Sequence, residues 1–85
     1  MAEKEIGVIT HYFSHIGVGV IDIKKGPLKI GDKIHVKGAT SDFMQKVQSM
    51  QIEHKKIEEA KKGDDIGIKL KEHVRVHDKV FKITD

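Results

Sequence analysis

A short pattern, a turn followed by an alternating strand, occurs three times in this sequence and constrains what the chain can fold into. The three copies are residues 29–36 (KIGDKIHV), 61–68 (KKGDDIGI) and 75–81 (RVHDKVF). Glycine adopts positive φ at little cost, and aspartate can accept hydrogen bonds from the backbone amides of a turn. The third copy has histidine where the others have glycine. The pattern predicts three turns, each followed by a strand whose side chains alternate outward and inward.

Alternation of β-branched residues predicts further strands. Residues 16–23 place Ile16, Val18 and Val20 on one face and two glycines with two isoleucines on the other. An earlier strand over residues 5–11 has Ile6 and Val8 on one side. The remaining predicted strands are residues 33–37 (Ile34 and Val36 inward), 65–71 (Ile66, Ile68 and Leu70 inward) and 79–83.

The stretch from Phe43 to His54 is apolar first at odd positions and then at even ones, with the change near Ser49. A change of phase by one residue is typical of a β-bulge or of one long strand that bends. A helix is the alternative, but its apolar stripe would be thin. The following residues 57–62 are predicted to form a loop or a single turn, because Gly63 ends the segment quickly.

These segments indicate an all-β chain of about six strands. With 85 residues, the chain can build one modest core, so residues 1–85 are predicted to form a single domain. Strands this numerous in so short a chain favour a small closed barrel, because closure removes the exposed edges of a sheet.

Composition limits the function. The sequence has 16 basic and 13 acidic residues, a net charge of +3, and no cysteine, which excludes disulfides and cysteine–zinc sites. No apolar run approaches ~18 residues, so no membrane span is predicted. The charged start, Met1 to Glu5, lacks the apolar stretch of a signal peptide. We therefore expect a cytoplasmic protein.

No catalytic or cofactor site is predicted. Phosphate-binding glycine motifs are absent, so we expect no nucleotide cofactor. The acidic pairs at 58–59 and 64–65 lie in lysine-rich polar segments, where solvated charges are the simpler interpretation. Two histidine pairs spaced by four residues could hold a metal ion on a helix, but no third ligand is implied and solvated histidines are the alternative. These pairs are His11 with His15, and His73 with His77.

Two groups of residues are candidates for contacts with a partner. Basic residues could form a patch for RNA phosphates if the loop after residue 55 lies beside the strand at 65–71, and solubilising lysines are the alternative. The candidates are Lys55, Lys56, Lys61, Lys62, Lys69, Lys71 and Arg75. The adjacent aromatics Tyr12 and Phe13 could stack on a base or anchor a partner, with one of the two expected in the core.

Residues 26–32 (GPLKIGD) and 60–68 (AKKGDDIGI) resemble the second-domain β-barrel of the translational GTPases, such as elongation factor Tu and initiation factor 2. The similarity runs from about Ile6 to Ile83, without a GTPase domain. It implies a Greek-key barrel of six or seven strands with a binding role; in the full-length factors this barrel contacts the small ribosomal subunit and, in some, the aminoacyl end of tRNA. Residues 7–13 (GVITHYF) resemble small stand-alone translation-factor-like proteins. They also resemble barrels appended to the collagenase-like peptidase family, some members of which act in RNA modification.

The leading hypothesis is therefore a non-enzymatic β-barrel that binds RNA or the ribosome through backbone phosphates. The alternative is a protein–protein adaptor that partners a separately encoded RNA-modifying or peptidase-like enzyme. A histidine metal site is a third hypothesis.

Overall fold

The computed structural model describes residues 2–84, and within that range every regular element is a β-strand. No helix that could cross a membrane is found in this range. The ten strands are β1 (Ala2–Phe13), β2 (Val18–Ile23), β3 (Leu28–Lys29), β4 (Lys33–Lys37), β5 (Asp42–Lys46), β6 (Met50–Ile52), β7 (Lys55–Ile57), β8 (Glu59–Ala60), β9 (Asp65–Lys69) and β10 (Lys79–Thr84). The all-β prediction is confirmed.

Eight strands form one antiparallel sheet in the order β5-β4-β10-β1-β2-β9-β6-β7, and β3 pairs separately with β8. The long strand β1 lies in the middle of the sheet. Its first half pairs with β10 and its second half with β2, so it joins the two parts of the sheet.

The prediction of a closed six- to seven-stranded barrel is wrong, because the sheet is open between β5 and β7. Backbone pairing ends at these two strands. The side chain of Gln45 on β5 contacts the end of β9, an inner strand of the sheet: its amide donates to the carbonyl of Lys69 at 2.9 Å and accepts from the N–H of Lys71 at 2.8 Å. The sheet is thus curled enough to bring β5 near the end of β9, but within residues 2–84 β5 and β7 do not form the backbone ladder that closure requires.

Most predicted strands agree with the structure. The strand at 33–37 has the predicted bounds, and Ile34 and Val36 are buried. The predicted strand at 65–71 is shorter in the structure, but its three predicted inward residues are buried: Ile66 and Ile68 on β9, and Leu70 just after it. On β1 the prediction that Ile6 and Val8 lie on the same side is wrong. A register shift between Glu5 and Gly7 places Ile6 and Ile9 in the core and leaves Val8 half-buried.

The segment from Phe43 to His54 is not one bent strand but two strands with different partners. It breaks at residues 47–49, where the apolar phase changes; β5 pairs with β4, and β6 pairs with β9 and β7. The neighbouring prediction of a loop or turn at 57–62 is partly wrong. Ile57 ends β7, and β8 pairs with β3 so that Ala60 and Leu28 are both fully buried.

The three predicted turns share one geometry. In each, the third residue has positive φ and the next residue is an aspartate. Its carboxylate accepts a hydrogen bond from the backbone N–H of the turn's first residue, at 2.8, 2.8 and 3.0 Å. The third residues, with their φ angles, are Gly31 (96°), Gly63 (93°) and His77 (79°), followed by Asp32, Asp64 and Asp78.

Each turn also forms two backbone hydrogen bonds with one buried aliphatic residue elsewhere in the chain. The N–H of the turn's third residue donates to the carbonyl of that residue, whose own N–H donates to the carbonyl of the turn's aspartate. All six distances lie between 2.7 and 2.9 Å. These hydrogen-bonded residues are Val47 for the first turn, Ile23 for the second and Ile9 for the third, all at most 1% exposed.

The left-handed position of the third turn should limit stability. Replacing His77 by glycine removes backbone strain of ~1–2 kcal/mol from the folded state. It also raises the conformational entropy of the unfolded chain, which costs less than the strain relieved, so His77→Gly should stabilise the protein by about 0.5 kcal/mol. Gly31→Ala and Gly63→Ala should each destabilise it by about 1 kcal/mol, since open space around both glycines leaves backbone strain as the cost. Urea unfolding of the three variants measures these changes. Destabilisation by His77→Gly would contradict the account.

Candidate functional site

The structure separates the basic residues predicted to bind RNA. Strand β6 lies between β9 and the β7 pair Lys55–Lys56. Lys61–Lys62 precede β9, whereas Lys69 and Lys71 lie at its other end, so the length of β9 keeps them roughly 13 Å apart. Arg75 lies in the turn before β10. The seven residues therefore do not form the one patch that the sequence suggested.

Lysines line two smaller grooves. One, of about 460 Å³, contains Lys46 with Lys69 and Lys71. The other, of about 520 Å³, is lined by Glu59 beside Gly26 and Pro27, and by four lysines: Lys4, Lys25, Lys61 and Lys62. Phosphate binding by these lysines stays a prediction.

The two residues of the aromatic pair differ in exposure. Tyr12 is partly buried against the core, and its ring meets that of His73 edge-on at 4.7 Å between centroids. Phe13 is 46% exposed and stacks loosely on His11 at 6.4 Å. Phe13 is thus the member of the pair available to a partner, and its contact role stays a prediction.

Beside Phe13, an apolar groove of about 600 Å³ runs over the outer face of β2, β9 and β6. We define the apolar groove by its apolar lining residues Phe13, Ile16, Val18, Val20 and Ile52. Ile16, in the turn between β1 and β2, is 57% exposed, a high value for an isoleucine. Sequence reasoning placed three of these residues on one face of a strand but did not recognise the groove.

The floor of the apolar groove is a glycine. Gly67 lies opposite Val20 on one side and opposite Gln51 on the other. A methyl group at Gly67 would contact the Val18 side chain at 3.3 Å. The missing side chain therefore keeps the middle of the groove open.

One end of the apolar groove is acidic. Asp22 and Asp65 lie directly opposite each other across β2 and β9, and Glu53 and Asp64 line the same end. Like charges at directly opposed positions destabilise a strand pair. Lys24 partly balances Asp22 through a contact of 3.4 Å.

One buried histidine, His35, was not among the candidate residues predicted from the sequence. His35 on β4 is 8% exposed, and carboxylates hold both ring nitrogens: Nδ1 lies 2.8 Å from Glu3 Oε1, and Nε2 lies 2.5 Å from Asp42 Oδ1. The hydrogen bond to Asp42 and then that to Glu3 raise the pKa of His35, outweighing its burial. The signal was hidden because Glu3 is 32 residues away in sequence.

This arrangement does not suit acid–base catalysis. A histidine base needs one free nitrogen to take a proton from a nucleophile, and both nitrogens of His35 are occupied. The nearby hydroxyl of Ser41 donates instead to the carbonyl of His73 at 3.3 Å. The His35 bridge therefore ties β1, β4 and β5 together.

The two residues of the predicted pair His73 and His77 have separate local roles. His73 contacts Tyr12, and His77 occupies the left-handed position of a turn. Over residues 2–84, no group of three or more histidine and carboxylate side chains has the arrangement of a metal site.

The His35 bridge should make stability depend on pH. The pKa of His35 is raised above 6.5, the ordinary value for histidine. Its contribution to the free energy of unfolding is therefore complete below about pH 6.5 and is lost as the pH rises through the raised pKa. The pKa of Asp42 is lowered, chiefly by the hydrogen bond to His35, so its contribution holds above 3.8 and is lost as pH falls through the lowered value.

His35→Gln should therefore lower the thermal midpoint most near pH 5–6 and progressively less above pH 7. Thermal melts across this range measure the difference, and His15→Gln, at an exposed position, is the matched control. A deficit of equal size at every pH would show that the bridge acts through packing alone.

Comparisons with known proteins relate the chain to peptidases. It is 40% identical over 78 residues to a collagenase of Porphyromonas gingivalis, and 39% identical over 82 residues to an uncharacterised protease of Methanocaldococcus jannaschii. These matches cover 91% and 95% of the chain but 22% and 20% of the relatives. The chain thus spans about a fifth of the length of these curated relatives. No protein-family model matches it.

The fold agrees with that relationship. The C-terminal domain of a Geobacillus thermoleovorans protein assigned to the U32 peptidases superimposes with a TM-score of 0.87, covering 95% of this chain and 93% of that domain at 15% identity. Its selenomethionine variant gives a TM-score of 0.85 over 91% of this chain. The chain therefore shares the fold of that domain.

These findings overturn the assignment to translation factors. The curated relatives are named as a collagenase and a protease, and the two solved structures described above are of a U32 peptidase domain, so ribosome and RNA contacts have no support. The misleading motifs are the glycine–aspartate turns, which serve backbone geometry and so report fold rather than function. The second resemblance, to barrels appended to collagenase-like peptidases, agrees with the comparisons.

Proposed function

We propose that residues 1–85 act as one accessory binding module of a U32-type peptidase and hold the catalytic part of such an enzyme by protein–protein contact. The observation that carries the proposal is the extent of the sequence match. About 40% identity extends over nearly all of this chain and only a fifth of two relatives named as proteases. The remaining four fifths of such relatives supply the catalytic partner.

Chemistry within the chain supports a binding role. Cysteine is missing from the sequence, His35 has both nitrogens engaged, and the Ser41 hydroxyl donates to a carbonyl. A peptidase mechanism needs an activated nucleophilic side chain, a metal-bound water or a water activated by a carboxylate pair. On the proposed account, peptide-bond chemistry belongs to the partner enzyme and this module contributes affinity or placement.

Binding to a shortened relative tests the proposal. The Porphyromonas gingivalis collagenase, expressed without its matched 78 residues, should bind this chain with a Kd of ~10 μM or tighter by calorimetry. Unrelated β-domains of similar size are the control. Absence of heat and of co-elution would count against the proposal.

A chimera keeps the test decisive if the shortened relative does not fold. In the full-length collagenase, the matched segment is replaced by this whole chain. The chimera should remain monodisperse and keep peptidase activity within about threefold of the parent. A chimera that folds but loses all activity would oppose an accessory role for this module.

A further inference from the structure

The apolar groove is an exposed apolar surface that folding alone does not explain. Singly scattered apolar residues are ordinary on protein surfaces, whereas contiguous patches mark interaction sites. Here two large side chains, Phe13 and Ile16, stand 46% and 57% exposed beside the half-buried Val18 and Val20. The core is filled by other residues, and these four side chains lie at or beyond its border.

The shape of the apolar groove fits an extended chain. Val18, Val20 and Asp22 lie on one face of β2 and span roughly 13 Å, the length of four extended residues. Midway, Gly67 leaves room for an incoming side chain between Val20 and Gln51.

The charges give the apolar groove a direction. At one end Asp22 opposes Asp65, and Glu53 and Asp64 add to the negative field. At the other end, the residue opposite Val18 is Lys69, which also lines the neighbouring lysine groove. A cationic side chain at the acidic end would offset the repulsion between the two opposed aspartates.

We infer that the apolar groove receives an extended polypeptide segment of the partner enzyme in which apolar side chains adjoin lysine or arginine. The apolar side chains lie over Gly67, between Val20 and Gln51, and beside Phe13, and the basic side chains meet Asp65 and its neighbours. This inference rests on the proposed function, because it names the surface and the chemistry by which the module holds its partner.

Variants of the exposed rim test the surface. Phe13→Ser combined with Ile16→Ser should weaken binding to the shortened Porphyromonas gingivalis collagenase at least tenfold, since both side chains are exposed and add little to folding. Asp65→Lys should weaken it as well and reduce its sensitivity to salt. The matched controls are Met44→Ser and Val76→Ser, which change equally exposed apolar residues outside the apolar groove.

Short peptides test the chemistry without the enzyme. A six-residue peptide with two leucines at one end and two lysines at the other should shift the NMR signals of Val18, Val20 and Gly67 in a saturable titration. The same peptide with glutamates in place of the lysines should bind at least tenfold more weakly. Equal shifts with both peptides, or shifts confined to other surfaces, would overturn the inference.

The two proposals fail in different ways. If the wild-type chain does not bind the shortened collagenase, and the chimera folds without activity, the accessory function is wrong. If the wild-type chain binds but the Phe13→Ser, Ile16→Ser variant binds equally well, the accessory function stands and the apolar groove is not the surface.

Discussion

The fold depends on one interaction that occurs three times. In each case the aspartate of a turn closes the turn, and the turn forms a pair of backbone hydrogen bonds with a buried aliphatic residue. Each turn immediately precedes one of the strands β4, β9 and β10. Because the side-chain period of a strand is two residues, fixing its first residue fixes which side chains face the core. The outward position of Gly67 and Asp65 on β9, and hence the floor and acidic end of the apolar groove, follow from the turn at Gly63–Asp64.

The parts of the fold that could be predicted from sequence are those set locally. The turns carry their own signal, glycine then aspartate, and the strands that follow them keep strict alternation, so β4 and the inward residues of β9 were predicted correctly. The shift on β1 could not be predicted, because it depends on pairing with β10 about 75 residues away. The His35 bridge was missed for the same reason, and closure was wrongly predicted because a local strand pattern does not show whether the two edge strands, β5 and β7, pair with each other.

Function was harder to predict than fold because the strongest motifs serve the backbone. A glycine–aspartate turn looks the same in any small β-module that uses it, so it led to translation factors, whereas relatives named as proteases match 91% and 95% of the chain. The features that distinguish this chain lie on its outer surface: two exposed apolar side chains, a glycine between them and the acidic end, and opposed aspartates. On this account the turns hold a rigid frame, and the outer face of β2, β9 and β6 supplies the binding.

Cross-saturation NMR on the complex with the shortened Porphyromonas gingivalis collagenase tests this account most directly, because it reports which methyl groups touch the partner. The account predicts that signal loss concentrates on Ile16, Val18, Val20 and Ile52, while the exposed Met44 keeps its intensity. Loss centred on Met44 and Val76, with the apolar groove unaffected, would contradict it.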